Sequence, residues 1–551
     1  MSESLDDFFS IDVTATTDTQ TRAGFGTALL AVAKVPWTSG ARVRSYASLP
    51  EMVTAGFKVR DPGYQMAQAA FAQNPRPASV KVGQRTRAFT QVVRITAATP
   101  VVNNAAETYT AKVDGLTATF TTDATPTAAE AATGLAAAIN ALTGADVDAL
   151  ITAGASDSGA QELSGGDFDG VLGGEVMDPP RRLSFVWDSS TDWDPGDATV
   201  TGTDADGNTQ TETFAIATST TANGAKYFRT VTLVEIPAQT GNGGGFTLGV
   251  RASVTATVDT ADVVCTAAVA GELHSYEPVT ENVSLRDATT DPGIATDLSE
   301  LLTADPDWYA LAIDSNSQAE IVAAAAWVET RRRLFVAQTA DAGCGDPAVT
   351  TDVMSAVKAA SYGYTTVWFH AAIGRSDGWV AAGLLGNRLP ADPGSDTWAF
   401  KTLAGVTVLG VSTTARAAIL AKNGNVYERK NGVAVSFPGK VALGEWVDVV
   451  RGLDWCRARM QEDLFALQRA NEKVSFTDEG ARLVAAAIFG VLSEGVNNKL
   501  FTDDPKPVVT VPRARAVSSA NRSARNLPSV EFTAYLAGAV HTIAVTGRAI
   551  V

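Results

Sequence analysis

Apolar and polar residues alternate from near the first residue of the chain. In Phe9-Ser10-Ile11-Asp12-Val13-Thr14 the alternation puts Phe9, Ile11 and Val13 on one face of an extended segment. The polar, Thr- and Asp-rich stretch 1–22 offers no hairpin partner, so such a strand has to pair at a distance. Over 27–32 a continuous apolar run predicts a buried strand. A helix over 64–72, a turn at Asn74-Pro75-Arg76-Pro77 and a strand over 79–82 complete a small α+β region.

Near residue 96 the composition turns to Ala, Thr, Gly and Asp, and it stays so to about 270. Within that span 108–122 alternates around Asp114-Gly115 as a hairpin does, and 127–142 reads as an Ala-rich helix. A second module starts near Leu183, with alternating segments at 198–203 and 209–216 around Asp206-Gly207 and a glycine loop over 241–245. From Leu273 strands (308–313, 334–338, 365–370) alternate with helices (318–330, 353–360), the signature of a layered α/β unit.

Two longer helices follow. The first carries Trp446, Val449, Val450, Leu453, Cys456, Met460, Leu464 and Leu467 on one stripe. The second begins at a Thr477 or Asp478 cap, turns Leu483, Val484, Ala487, Ile488, Val491 and Leu492 inward, and stops at Gly495. Beyond Pro505 and Pro507 the alternation returns, ending in the apolar segment 539–551. The expected fold class is α+β / α/β multidomain. Its divisions are an arm at 1–22, an α/β region at 23–95, inserted domains at 96–180 and 181–270, a core at 271–500 and a β region with a terminal arm at 501–551.

Composition narrows what the chain does. Its 551 residues suffice for about three to five compact units, and 45% apolar with 19% charged residues is globular composition. A formal charge of −17 disfavours nucleic acid as a partner. Cys265, Cys344 and Cys456 lie far apart with no Cys-x-x-Cys spacing, which reads as reduced, structural thiols. Glu3, Asp6 and Asp7 stand where a signal peptide carries Lys or Arg, and no apolar run approaches the roughly 18 residues of a membrane span. Synthesis in the cytoplasm without membrane insertion is expected.

Catalytic machinery is thin. Only His274, His370 and His541 could carry protons near neutrality, and none has a metal-ligand spacing; His370 reads as a strand-end residue. The 241–245 loop lacks the Gly-Lys-Ser/Thr ending of a phosphate loop. Asp188, Asp192, Asp194 and Asp197 lack the spacing and closing Glu of an EF-hand. Arg331-Arg332-Arg333 ends a helix, where cations meet the dipole favourably or serve a subunit contact. Arg513, Arg515, Arg522 and Arg525 form a basic run in an acidic chain, either a solvated face or half of a complementary subunit contact, and the contact is favoured. No catalytic, cofactor-binding or metal-binding residue is expected.

Several phrases outside 96–270 together resemble the tail sheath proteins of contractile phages. Near the N-terminus they are Tyr46-Ala47-Ser48-Leu49 and Phe71-Ala72-Gln73-Asn74-Pro75-Arg76-Pro77, followed by Val82-Gly83. The core contributes Arg333-Leu334-Phe335-Val336 and the block from Gly394 through Trp398 to Val406. The last phrases are Asn425-Val426-Tyr427, Gly444-Glu445-Trp446-Val447-Asp448, Asp454-Trp455 and Lys473-Val474-Ser475-Phe476-Thr477-Asp478-Glu479-Gly480. None carries chemistry; their order and spacing carry the likeness.

The resemblance implies a non-enzymatic virion protein with an α/β sheath core that polymerises helically around a tail tube. Its partners would be itself, the tail tube protein, and baseplate and tail terminator proteins, with no cofactor. Terminal arms would add strands to neighbouring subunits. On this reading Phe9, Ile11, Val13, Arg513, Arg515, Val540, Ile543, Val545 and Ile550 are expected at subunit interfaces, and the inserts on the outer surface. The rival readings are another virion component, such as a baseplate or tube protein, and a virion-associated hydrolase, which would need a convergent acid or His pocket.

Overall fold

The computed structural model describes residues 24–37, 41–85, 90–98, 106–204, 207–269, 272–288, 293–370, 376–408 and 410–546. They fall into two compact units. The larger is Gly26–Ala391 with Trp398–Val447; the smaller takes Asp392–Thr397, Asp448–Val551 and the residues up to Phe25.

The larger unit is built on an eight-stranded sheet in the order Val43–Tyr46, Val80–Gln84, Ala28–Val32, Ala310–Ile313, Leu334–Thr339, Thr365–Phe369, Asn425–Lys430, Val433–Phe437. The inner six strands are parallel and the two edge strands antiparallel. Central strands covered on both faces read as unbroken apolar runs, and every residue of Ala28–Val32 and of Leu334–Thr339 is buried. The helix Gln318–Glu329 buries Ile321, Ala324, Ala325, Trp327 and Val328 in the same apolar cluster as Leu311, Phe335 and Val367. The helices Pro62–Phe71 and Val380–Arg388 meet at Gly386, where a Cβ would lie 2.3 Å from the Ala70 carbonyl oxygen; only glycine permits that approach.

The phrases behind the family resemblance do architectural work. Gln73 accepts from Ala404 N (3.1 Å) and donates to Ala404 O (2.8 Å) and Ala69 O (2.8 Å). Asn425, wholly buried, donates to Thr366 Oγ1, Val367 O and Lys440 O and accepts from Gly439 N and Lys440 N. Arg331 and Arg333 lie over the rings of Trp327 and Trp308, at 4.4 and 4.2 Å, and Arg331 Nη1 donates to the Trp327 carbonyl at 3.2 Å, so this pair covers tryptophans and caps a helix.

Between the strand Val80–Gln84 and the helix Ile294–Ala304 lie two β-rich domains, one nested in the other. The outer domain joins the sheet Val254–Asp259, Asp262–Ala267, Val92–Ala97, Val283–Asp287 to the sheet Tyr276–Pro278, Thr108–Val113, Leu116–Thr121. The helix Ala128–Thr143 completes it, with Thr127 Oγ1 accepting from Glu130 N at 3.1 Å as its N-cap. Its hairpin turns at Asp114 and Gly115 with φ of 52° and 90°, the left-handed pair of a type I′ turn.

The inner domain spans Asp146–Ala155 to Gly245–Val250 and consists of two four-stranded antiparallel sheets over one core containing Phe185, Trp187, Trp193, Phe214 and Phe246. The sheets thus divide the insert differently from cuts at 180 and 270. Asp146–Ala155 and Gln161–Leu163 pair within the inner domain, whereas Tyr276–Pro278 and Val283–Asp287 return to the outer one. Two-residue periodicity marks a strand without naming its partner, so a nested order is invisible to it.

In the smaller unit the helices Val447–Ala470 and Asp478–Asn497 pack Trp455, Cys456, Ile488, Val491 and Leu492 against Leu500 and Phe501. Thr477 is the N-cap of the second. Leu453 and Leu483, expected on the inner stripes, are 47% and 40% exposed, and Trp455 faces inward instead. The second helix runs through Gly495 to Asn497; a Cβ at Gly495 would lie 2.7 Å from the Phe501 ring, so the glycine there makes room for Phe501 instead of ending the helix. After it comes a two-stranded antiparallel sheet, Val508–Thr510 with Glu531–Thr533.

Candidate assembly surface and the interdomain charge cluster

Among the expected interface residues, Phe9, Ile11, Val13 and Ile550 lie outside the described residues. Arg513 and Arg515 are exposed at a short 3-10 turn between the two strands of the smaller unit's sheet. Arg522 and Arg525 are exposed in the same connection. Val540, Ile543 and Val545 are 78%, 80% and 87% exposed. Within the chain, 540–546 makes no strand, and His541 Nε2 lies 2.9 Å from Thr397 Oγ1.

Exposed apolar side chains missed by sequence reasoning share this unit: Phe532, Tyr535 and Leu536 at the sheet, Phe465 and Phe489 on the helices. Their signal was present, because Phe465 and Phe489 fall off the inward stripes. The sheet has strands of three residues, all but Val509 exposed, and two-stranded sheets of this size are marginal alone and leave edges open to pairing.

The other singled-out groups have structural partners. His370 Nε2 donates to the Thr407 carbonyl at 2.7 Å. Asp188 accepts from Trp193 Nε1 (2.8 Å) and Gly245 N (2.6 Å), and Asp192 from Gly243 N (2.6 Å), so this acidic run staples the glycine loop. No group of three or more His, Cys, Asp or Glu able to hold a metal occurs among the described residues. All three cysteines are buried and unpaired, and burial pushes the thiols up, Cys265 to about 12 and Cys456 to about 11. At the carboxyl ends of the strands Ala28–Val32, Val80–Gln84 and Ala310–Ile313, where the sheet order reverses and such folds bind ligands, Arg85 pairs with Asp314 (2.6 Å) and Glu320 (2.7 Å). Ala33 N donates to the same Asp314 at 2.8 Å.

A cavity of about 530 Å³ opens where the core meets both inserted domains. Lys34 stands between Asp61 (3.3 Å) and Asp114 (3.6 Å), and His274 Nδ1 lies 2.6 Å from Asp114 Oδ2. Burial alone would raise the Asp114 carboxyl. The Lys34 charge, the His274 contact and the Ser275 backbone N–H outweigh it and hold Asp114 well below the usual carboxylate range. Sequence inspection named His274 but not its acidic partner, which is 160 residues away.

No helix among the described residues is long and apolar enough to cross a membrane. The chain is a mixed α/β multidomain protein. No family model matches it, and no curated protein does. Among solved structures it is similar to the sheath tail protein from Desulfitobacterium hafniense, at 10% identity and a TM-score of 0.40 over 91% of this chain and 93% of that one. It is also similar to the contracted helical sheath of the anti-feeding prophage, at 14% identity and a TM-score of 0.36 over 50% and 78%. A third is the contracted sheath complex of the extracellular contractile injection system PVC, at 14% identity and a TM-score of 0.35 over 46% and 74%.

Proposed function

We propose that this chain is the structural subunit of a contractile phage tail sheath, polymerising helically around the tail tube and contracting to drive the tube through the host envelope. The observation that carries the reading is the smaller unit. Among the described residues its sheet has two strands, with Phe532, Tyr535 and Leu536 exposed beside it and Val540, Ile543 and Val545 exposed beyond. A neighbour's terminal strand adding to that sheet would supply the missing main-chain partners and cover the apolar side chains. The resemblance of the sequence phrases to sheath proteins supports the same reading.

Strand exchange of this kind ties copies together while the connecting segments swing. Contraction is then a passage of the lattice from one packing to another of lower free energy, with no nucleotide hydrolysed. A few kcal/mol per subunit, repeated cooperatively along the tube, suffices. The tail tube, baseplate and tail terminator proteins are the partners in this reading, and the virion tail is the location. Sedimentation of the full chain and of chains lacking 1–20 or 540–551 tests it. Loss of large assemblies with a folded monomer is expected for each truncation; undiminished assembly would overturn strand exchange.

A further inference from the structure

The inner domain leaves the outer one and returns to it through two short crossings. The first is Gly144-Ala145, between the helix Ala128–Thr143 and the strand Asp146–Ala155. The second is Arg251-Ala252-Ser253, between the strands Gly245–Val250 and Val254–Asp259. Two segments running side by side can serve as a hinge, and relative motion is the ordinary expectation for domains joined in this way.

A buried guanidinium occupies this joint. Arg181, the first residue of the inner strand Arg181–Trp187, is 8% exposed. Its Nη1 donates to Leu142 O at 3.1 Å, and its Nη2 to Thr143 O (3.4 Å), Gly144 O (2.8 Å) and Arg251 O (3.0 Å). Leu142, Thr143 and Gly144 are the last turn and C-cap of the outer domain's helix, while Arg251 lies on the returning crossing. A helix end leaves its final carbonyls without intrahelical partners and carries partial negative charge, so cation and helix terminus offset each other's burial. One side chain of the inner domain thus holds both crossings.

Each side is braced up to the joint. Ser253 N donates to Thr143 O at 2.9 Å, and Thr143 Oγ1 to Val254 O at 3.1 Å. Asn140, one turn earlier in the helix, donates to Ala256 O at 2.7 Å and accepts from Ala256 N at 2.8 Å. On the inner side Arg251 N donates to Arg182 O and Arg251 Nη1 to Gly224 O, both at 2.8 Å. Gly249 passes so close to Asp146 that a Cβ would lie 1.9 Å from its carbonyl oxygen. Beside Arg181, Arg182 reaches Glu272, in the segment leading back to the outer domain's strand Tyr276–Pro278, at 2.9 Å.

We propose that Arg181 bolts a rigid joint, so that the two nested domains are carried as one body instead of swinging about two linkers. The site uses the planar fork of the guanidinium. Its adjacent Nη atoms reach four carbonyls on two separate segments, and a lysine ammonium, one point with three donors, cannot take up all four. The inference concerns the insert alone, stands apart from the sheath reading and is tested on the unassembled chain.

The three native cysteines are buried, so spin labels can be placed on two added ones: Ala137→Cys, exposed on the helix Ala128–Thr143, and Ala215→Cys, exposed on the inner strand Thr209–Ile216. Pulsed double electron resonance on the full chain then reads the spread of distances between the two domains. The native joint should give one narrow distribution, and Arg181→Lys and Arg181→Gln should widen it at least about twofold. Arg251→Lys, which gives up a side-chain bond made within the inner domain, should leave it narrow. Hydrogen exchange of the inner strand Gly196–Thr203 should not rise in the Arg181 variants, which separates a loosened joint from an unfolded domain. A broad native distribution, Arg181 variants as narrow as the native chain, or equal widening in Arg251→Lys overturns the joint. Should Arg181→Gln fail to fold, Arg181→Lys carries the test, since it keeps the charge and most of the stem.

Discussion

Asn425 concentrates five hydrogen bonds on one buried amide, joining the strands Thr365–Phe369 and Asn425–Lys430 to the turn at Gly439 and Lys440. Asn425→Ala leaves buried donors and acceptors unpaired and is expected to cost about 3 kcal/mol, read as a lower denaturant midpoint for the larger unit. Asp114 yields a pH prediction of a definite sign. Its carboxyl is depressed in the folded chain, so its contribution is present above the unfolded value of about 3.9 and disappears as pH falls through the folded value. Acid unfolding of Asp114→Asn should therefore show a shallower dependence on pH than the native chain below about pH 4. At this scale the sequence was legible where residue type dictates environment. The buried run Leu29-Leu30-Ala31-Val32, the Thr477 cap and the Asp114-Gly115 turn all lie where their chemistry put them. It was opaque where partners are distant, as with His274 and Asp114 or Gln73 and Ala404.

Elements were readable by period and misjudged by partner. The helix stripes placed the cluster at Cys456, Ile488, Val491 and Leu492, yet Leu453 and Leu483 are exposed, because 3.6-residue spacing gives the width of an apolar face and not how much of it is covered. Those uncovered positions are what a lattice contact needs. Phe532→Ser with Leu536→Ser should change monomer stability by less than about 0.5 kcal/mol, as exposed substitutions do, and still abolish large assemblies in sedimentation. The nested domain gives a second test. Ser253 N donates to Thr143 O at 2.9 Å, so the two chain ends meet where the inner domain leaves and returns. Replacing 146–250 by a two-residue link should leave the outer domain folded, seen as an unchanged exchange pattern in the helix Ala128–Thr143. If the inner domain lies on the outside of the lattice, that deletion also assembles; failure to assemble would place it at a contact.

Charge is unevenly shared over the molecule. Residues 101–287 hold 26 Asp or Glu and seven Lys or Arg, an excess of 19 negative charges, while the whole chain carries −17. The part outside the inserts is therefore close to neutral, with an exposed basic run at Arg513, Arg515, Arg522 and Arg525. Copies that pack through the remainder of the chain avoid the like-charge repulsion of the inserts, which fits inserts facing solvent in the proposed lattice. Assembly itself is the central claim, and electron microscopy of the purified full chain after concentration, alone and with the candidate tube protein, tests it most directly. Hollow, regularly striated tubes or stacked rings are the expected result; a compact monomer persisting in both samples would contradict it.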